Sequence, residues 1–145
     1  MAIEQFSRSL PMVLYRTLEA VMPRFRKIFN EFGITEQQWR VLRVLWEHDR
    51  ITIRRLAEAS LIPAPSLVGV VDRLERMGLV ARQRSDVDRR KVHVATTVKG
   101  AELEAEVMPR VAAAYASLKQ SVDGATWERV LEGLQRITTA GQETP

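Results

Sequence analysis

The most constraining feature of this sequence is a pair of short helical patterns separated by a proline-rich break. Thr52 is a favourable helix N-cap, and the apolar spacing after it predicts a short helix through Ala59. Residues 62–65 (Ile-Pro-Ala-Pro) interrupt that spacing, and Pro65 suits the first turn of a second helix that ends at Gly78. Two short helices joined by a brief turn predict a helix-turn-helix. The apolar face of the second helix consists of Leu67, Val70, Val71 and Leu74.

The residues that follow alternate between apolar and polar side chains in two short runs. Residues 79–84 and 91–95 therefore predict two strands. Residues 85–88 between them (Ser-Asp-Val-Asp) favour a tight turn, which makes the pair an antiparallel hairpin. A hairpin that directly follows a helix-turn-helix is called a wing. The sequence thus predicts a winged helix-turn-helix, and we assign residues 35–97 to it.

Long apolar stripes at helical spacing flank the winged part on both sides. Between Leu10 and Phe32, apolar residues recur at steps of three and four, and a bend is expected at Pro23 inside this pattern. Two more helical stripes follow the wing, and Pro109 is expected to bend the first of them. A winged-helix core is too small to cover so many apolar positions, so a second subunit is expected to cover them. We therefore predict one mainly α (α+β) domain over residues 1–145, with dimerisation helices at 8–34 and 98–141.

The link between the first long helix and the winged part carries its own end signals. Gly33 favours the end of the first helix, and Thr35 to Gln38 have the pattern of a capping box. A second helix is therefore predicted from this point to about His48. Its buried face consists of Val41, Leu42 and Leu45.

Basic residues are concentrated in the middle of the chain. Between Arg50 and Lys91 there are ten basic residues against five acidic ones, whereas the flanking segments carry twelve against thirteen. This asymmetry favours a polyanion as partner, with a solvated surface of mixed charge as the alternative. Together with the helix-turn-helix it indicates double-stranded DNA, whose major groove admits the second helix.

The chain lacks the residues that several other functions need. It contains no cysteine, which excludes disulfides, thiolate metal sites and cysteine-based peroxide sensing. The sequence has no nucleophile motif, phosphate-binding glycine loop or metal-ligand spacing, so no enzyme activity, catalytic residue, metal or cofactor is predicted. His48 and His93 are far apart in sequence, and each is expected to be an ordinary core or surface residue. No targeting or membrane-spanning segment is expected, which fits a cytoplasmic protein.

The strongest candidate DNA contacts lie on the wing and on the second short helix. Arg89 and Arg90 stand at the wing tip, where guanidinium groups can enter a narrow minor groove. Asp88 is close enough in sequence to pair with Arg90 and orient it, although an ordinary charged turn is the alternative. On the second helix the candidates are Ser66 and Arg73, and for Arg73 the alternative is a solvated arginine.

Other basic residues on the short helices have weaker support. Arg54 and Arg55 are expected to contact phosphate, which adds salt-dependent affinity but little sequence information. Arg76 has Asp72 one helical turn before it and can pair with it as an ordinary neighbour. The complete set of candidate DNA contacts is Arg54, Arg55, Pro65, Ser66, Leu67, Arg73, Arg84, Asp88, Arg89, Arg90 and Lys91.

Several runs of residues resemble the MarR family of repressors. These runs are 35–40 (TEQQWR), 56–57 (LA), 74–80 (LERMGLV) and 86–90 (DVDRR) through Thr97 and Gly100. The resemblance extends over nearly the whole chain. Within the family, residues 35–40, 65–67 and 90–91 most resemble the regulators of homoprotocatechuate and related aromatic-acid degradation operons. It implies an obligate homodimer formed by the first and last helices, a palindromic operator, and an effector site near the junction of the dimerisation and DNA-binding parts.

A small aromatic carboxylate is the expected effector, bound between the first two helices and the winged part. Arg16 follows the apolar run 12–15, and a guanidinium there can pair bidentately with a carboxylate. The alternative for Arg16 is a surface salt bridge with Glu19, one helical turn away. Trp39 begins the adjacent helix and is the expected neighbour of the ligand's ring.

Two arginines of the second helix, Arg40 and Arg43, are further ligand candidates. Their support is weaker because Glu36 and Glu47 lie one turn from them and can pair with them. The sequence therefore predicts a homodimeric repressor of an operator, released by an aromatic acid. The alternative is a winged helix used only for protein association, which would not need a cationic wing.

Overall fold

In a computed structural model, which describes residues 5–143, the chain is mainly helical with one small sheet. A 3-10 turn, Phe6–Arg8, precedes the helices α1 to α6 and the strands β1 to β3. In chain order these are α1 (Leu10–Glu31), α2 (Glu36–Trp46), β1 (Ile51–Thr52), α3 (Ile53–Ser60), α4 (Ala64–Arg76), β2 (Val80–Arg84), β3 (Val92–Thr96), α5 (Val98–Gln120) and α6 (Gly124–Glu143). The predicted winged helix-turn-helix is confirmed: α3 and α4 form the helix pair, and β2 and β3 form the wing.

The helix ends lie where the local signals predict them. The Thr35 side chain accepts a hydrogen bond from the Gln38 amide at 3.1 Å, and the Gln38 side chain accepts one from the Thr35 amide at 2.9 Å, which completes the capping box. Gly33 and Gly78 have positive φ angles of 69° and 75°, a conformation that glycine adopts without a steric penalty. Pro23 does not end its helix, since α1 continues through it to Glu31.

The sheet contains a short strand in addition to the predicted hairpin. Its order is β1-β3-β2, with all pairs antiparallel, and the two residues of β1 pair with the middle of β3. Val94 of β3 lies opposite both Ile51 and Arg82, while its neighbour His93 lies opposite Thr52 and Gln83. Because side chains alternate across a strand, Val94 is fully buried and His93 is directed to the other face.

The core of the winged part holds α4 in place. Its fully buried side chains come from α2, α3, α4, β2 and β3 and from Ile62 in the turn between α3 and α4, and burial of each stabilises the fold by about 1.5 to 3 kcal/mol. The largest of them include Leu42, Leu45, Leu56, Leu67, Leu74 and Val94. The outer face of α4 is therefore presented by a rigid support.

By its internal contacts the chain divides into two compact units, one up to Pro109 and one from Arg110 onward. In the first unit, the apolar stripe of α1 is about half exposed at Val13 and Leu18. In the second unit, Tyr115 packs edge-on against Trp127 at 6.5 Å, and Leu131 and Ile137 are about half exposed. No helix among residues 5–143 is both long and apolar enough to cross a membrane.

Candidate nucleic-acid interface and ligand site

The turn between α3 and α4 contains an unusual backbone conformation. Leu61 ends α3 with φ 54° and ψ 41°, and it is the one non-glycine residue with positive φ among those the structure describes. The Arg40 guanidinium donates to the Leu61 carbonyl at 3.4 Å, and the Ile62 amide donates to the Ala57 carbonyl at 3.2 Å. These contacts hold a left-handed turn that a leucine disfavours by about 1 to 2 kcal/mol. They set the angle at which α4 leaves α3.

On α4, the structure separates the predicted contact residues into outer and inner positions. Pro65, Ser66 and Arg73 are exposed, as a DNA contact requires. Leu67, by contrast, is fully buried in the winged-helix core, so its assignment as a DNA contact is wrong. Its helical spacing with the other apolar residues of α4 already indicated the core. The exposed apolar residue of this region is the next one, Val68, which is 45% exposed and was not predicted.

A cluster of three charged side chains ties the wing to α4. Arg82 of β2 donates to Asp72 at 2.5 Å and to Glu75 at 3.2 Å, and its backbone amide donates to the second Glu75 oxygen at 3.1 Å. The hydrogen bond to Asp72 is the largest influence that raises the pKa of Arg82 above its ordinary value. The Asp72–Arg76 pair expected from helix spacing is therefore not formed. Arg76 instead donates to the Asp72 backbone carbonyl at 3.4 Å.

The wing tip presents a well-defined turn with exposed cations. The Asp88 carboxylate accepts a hydrogen bond from the Arg90 amide at 3.0 Å, whereas its distance to Arg90 Nε is 3.9 Å. Asp88 thus holds the backbone of the tip more closely than it holds the guanidinium. The Arg90 side chain is 96% exposed, and Arg84, Arg89 and Lys91 are exposed as well. Cations in this position are free to follow a DNA groove.

The fold brings four of the predicted cations onto one concave surface. A groove of about 1170 Å³ lies between α3, the start of α4 and the wing. Arg54 and Arg55 line it from α3, and Arg90 and Lys91 line it from the wing. Glu58 lies 3.5 Å from Arg54, with both side chains well exposed, so the pair neutralises little. Residues separated by about 35 positions in sequence thus form a single cationic surface.

An aromatic cluster lies where α1, α2 and the start of α5 meet. Trp39 stacks on Phe29 at 4.7 Å and meets Trp46 edge-on at 5.7 Å. The Trp46 indole donates to the Gly100 carbonyl at 3.1 Å, which joins α2 to α5. Trp39 and Trp46 are two helical turns apart, so they share one face of α2. The cluster is aromatic, as is expected of a surface that receives the ring of a ligand.

Tertiary contacts, and not helix spacing alone, decide which partners the basic residues of α2 bind. Arg43 forms the expected pair with Glu47 at 2.7 Å. The pair expected between Arg40 and Glu36 is not formed, because Glu36 binds Arg26 of α1 at 2.9 Å. Arg40 points towards the turn at Leu61, and its Nε atom is buried without a hydrogen-bond partner in the described residues.

Arg16 and Trp39 are not brought together within one chain. Arg16 donates to the backbone carbonyl of Ser7, and the alternative pair with Glu19 is absent from the ion pairs of residues 5–143. The Trp39 ring packs on Phe29, which lies thirteen residues along α1 from Arg16. At a rise of 1.5 Å per residue, that separation is about 20 Å. A ligand pocket containing both would need Arg16 from a second subunit.

Comparisons with known proteins agree with this architecture. A family model described as "MarR family" matches residues 34–92. The homoprotocatechuate degradative operon repressor of Escherichia coli is 32% identical over 133 residues, which are 92% of this chain and 90% of that protein. NadR in complex with 4-hydroxyphenylacetate is 31% identical with a TM-score of 0.80, covering 94% of this chain and 97% of that one. CouR of Rhodococcus jostii RHA1, bound to a 23-mer DNA duplex, is 26% identical with a TM-score of 0.86, covering 95% and 98%.

Proposed function

Because the chain belongs to the MarR family of transcriptional regulators, we propose that it is a repressor that binds a palindromic DNA operator as a homodimer. A small aromatic acid releases it. Its relatives are transcriptional regulators, which are not enzymes. In this role the protein works in the cytoplasm, beside the DNA that it regulates.

One observation carries the DNA-binding proposal: the cationic groove between α3, α4 and the wing. Arg54, Arg55, Arg90 and Lys91 line it, and the exposed side chains of Ser66 and Arg73 lie on α4. In this arrangement α4 enters the major groove, the wing tip follows the adjacent minor groove, and α3 contacts phosphate. The solved complex of CouR with a DNA duplex supports the proposal by similarity. A module used only for protein association would not need this groove.

The direct test is binding of the intact protein to duplexes from the DNA next to its own gene. We expect a specific complex whose affinity falls steeply with salt, because the Lys and Arg side chains displace counterions from phosphate. Retention on heparin is the simpler companion measurement. If no duplex binds at low salt, the protein-association alternative replaces the repressor.

The proposed dimer uses the segments 8–34 and 98–141. In the first, α1 leaves Leu10, Val13 and Leu18 about half exposed, and in the second, α6 does the same with Leu131 and Ile137. Apolar stripes of this kind are typical of surfaces that a partner covers. A two-fold symmetric dimer places its two α4 helices on half-sites about one helical turn of DNA apart.

We expect that the dimer does not dissociate into folded monomers, because its interface completes the apolar packing of both end segments. Sedimentation velocity at submicromolar concentration measures the mass, and circular dichroism at the same concentration measures the helical content. A single species of twice the chain mass is the expected result. A folded monomer would contradict the model with two linked half-sites.

The proposed effector is a small aromatic carboxylate bound beside the aromatic cluster of Phe29, Trp39 and Trp46. The ring would lie against Trp39, and a guanidinium would pair with the carboxylate. Arg43 is one turn from Trp39 on the same helix, whereas Arg16 would reach the ligand from the second subunit. NadR in complex with 4-hydroxyphenylacetate supports this class of ligand by similarity. To release DNA, the acid must bind more tightly to a dimer whose α4 helices are misplaced.

Calorimetry of the intact protein with salicylate, protocatechuate, homoprotocatechuate and hydroxynicotinate tests the effector. We expect at least one of these acids to bind and Arg16→Ala to weaken it, by about 1.5 to 3 kcal/mol for a lost charged hydrogen bond. Arg43→Ala is the matched variant, since it removes a guanidinium from the other side of the proposed pocket. Undiminished binding in the Arg16 variant would remove Arg16 from the site. The absence of heat with all four acids would contradict the effector class.

A further inference from the structure

The two histidines of this chain, 45 residues apart in sequence, line the same cleft. The cleft has a volume of about 650 Å³ and lies between the end of α2, the β1–α3 junction and the outer face of β3. His48 lies two residues beyond the end of α2, and His93 lies on β3, where it is paired across the sheet with Thr52. Each histidine is expected from the sequence to be an ordinary core or surface residue, and it is the packing of β3 against β1 that brings the two to one cleft.

Charge in the cleft favours an anion. Arg50 and Arg55 line it, and neither forms an ion pair with a carboxylate in the part of the chain that the structure describes. Glu58 is the acidic residue of the lining, and its exposed pair with Arg54 at 3.5 Å neutralises little of its charge. The lining thus has two guanidinium groups and one carboxylate, so its arginine and glutamate side chains together carry a positive charge. The described residues contain no group of three metal-type ligands, so these histidines are not part of a recognisable metal site.

The hydrogen bonds of the two imidazoles leave polar atoms for a ligand. His93 Nδ1 is buried without a hydrogen-bond partner, and a proton placed there would have no acceptor. The neutral ring therefore carries its proton on Nε2, the nitrogen that is not buried in this way. His48 Nδ1 lies 2.7 Å from the Val44 carbonyl, so it donates to that oxygen. Its Nε2 has no hydrogen-bond partner within the described residues and is available to a ligand.

The Thr52 hydroxyl adds a neutral donor at the centre of the cleft. Its oxygen accepts a hydrogen bond from the Arg55 amide at 3.3 Å, and this arrangement leaves the hydroxyl proton available. The cleft thus offers two guanidinium groups, the Nε2–H of His93 and a hydroxyl as donors. Such a set matches an oxyanion with several acceptor oxygens and a charge near two.

We propose that this cleft is a binding site for a phosphate group. It adjoins the DNA-facing groove, because Thr52, Arg55 and Glu58 line both. The phosphate can therefore come from the DNA backbone beyond the wing, or from a free phosphate or phosphate ester. The first source rests on the proposed repressor function, whereas the second does not.

Nuclear magnetic resonance of the imidazole nitrogens tests the site, since both histidines of the chain lie in it and no other imidazole signals interfere. In the intact unliganded protein, His93 is expected to be the Nε2–H tautomer. Two probes are then added separately: inorganic phosphate and a short duplex of unrelated sequence. Saturable shifts of both histidines with phosphate indicate a free anion as the natural source, and saturable shifts with the duplex alone indicate the DNA backbone.

Two variants decide whether the cleft itself is responsible. Arg50→Ala and Arg55→Ala should each weaken the response at least tenfold, whereas Arg76→Ala, which removes the same charge from α4, should leave the phosphate response unchanged. The proposal is overturned if neither probe shifts the histidines, or if the Arg50 and Arg55 variants respond like the unchanged protein. Operator binding without any shift of the histidine signals would reject this site and leave the repressor function intact. A phosphate response without any duplex binding would support this site and reject the repressor function.

Discussion

Gly100→Ala is expected to lower the free energy of unfolding by about 3 kcal/mol or more. Gly100 lies buried in the first turn of α5, and an added methyl group would overlap the Thr96 hydroxyl and the Leu79 carbonyl. The residue cannot move away easily, because its carbonyl accepts from the Trp46 indole and its amide donates to Thr97. Overpacking of a fixed site costs about 1 to 3 kcal/mol, and the close backbone contact places this one at the upper end.

Chemical denaturation, followed by circular dichroism, measures this effect. Gly69→Ala is the matched control, since it adds the same methyl group to α4, where the nearest other atom, on the Arg73 side chain, lies at an ordinary contact distance of 3.7 Å. In a helix that change is neutral or stabilising by up to about 1 kcal/mol. If both variants unfold alike, the close approach of Gly100 to Leu79 does not exist in solution. The junction between α2, the wing and α5 would then be looser than described.

Arg90→Ala is expected to weaken operator binding by about 1 to 3 kcal/mol, or roughly 5- to 150-fold. The guanidinium stands almost fully exposed at the wing tip and has no short contact to break, so the loss reflects DNA binding rather than folding. Asp88→Ala should weaken operator binding by less than this. Its carboxylate accepts from the Arg90 amide at 3.0 Å and so shapes the turn without touching DNA.

Fluorescence anisotropy with a labelled operator at fixed salt measures both variants. Arg136→Ala, which removes an equal charge from α6 outside the winged part, should leave the affinity unchanged, with sedimentation confirming that this variant is still a dimer. Thermal unfolding should be the same in all three variants, since none of the side chains is buried. Unchanged affinity in both wing variants would mean that the wing does not engage DNA and that α4 acts alone.

The Arg82 cluster ties the wing to α4. Arg82 lies on β2, and its two carboxylate partners lie on α4, so two ion pairs join the wing to the recognition surface. Spacing along the helix favoured Arg76 as the partner of Asp72. Only the register of β2 against β3, which directs Arg82 to the α4 side of the sheet, selects the observed pair.

The amino-acid sequence by itself determined the features that depend on neighbouring residues. Helix ends at Thr35, Thr52 and Gly78, the helical face of α4 and the wing turn all follow from groups no more than about four positions apart. These local signals agree with one another, and their order along the chain is sufficient to predict a winged helix-turn-helix. The concentration of basic residues in the same segment follows from counting alone.

The tertiary structure decided which distant residues meet. It placed His48 and His93 in one cleft, and Arg54 and Arg90 in one groove. It also left Arg16 about 20 Å along α1 from Phe29, the residue on which the Trp39 ring stacks. Such pairs depend on strand register and on the packing of one helix against another, which buried contacts spread over the whole core select. A side chain with two possible partners takes the one that this packing brings within reach, and helix spacing cannot distinguish between them.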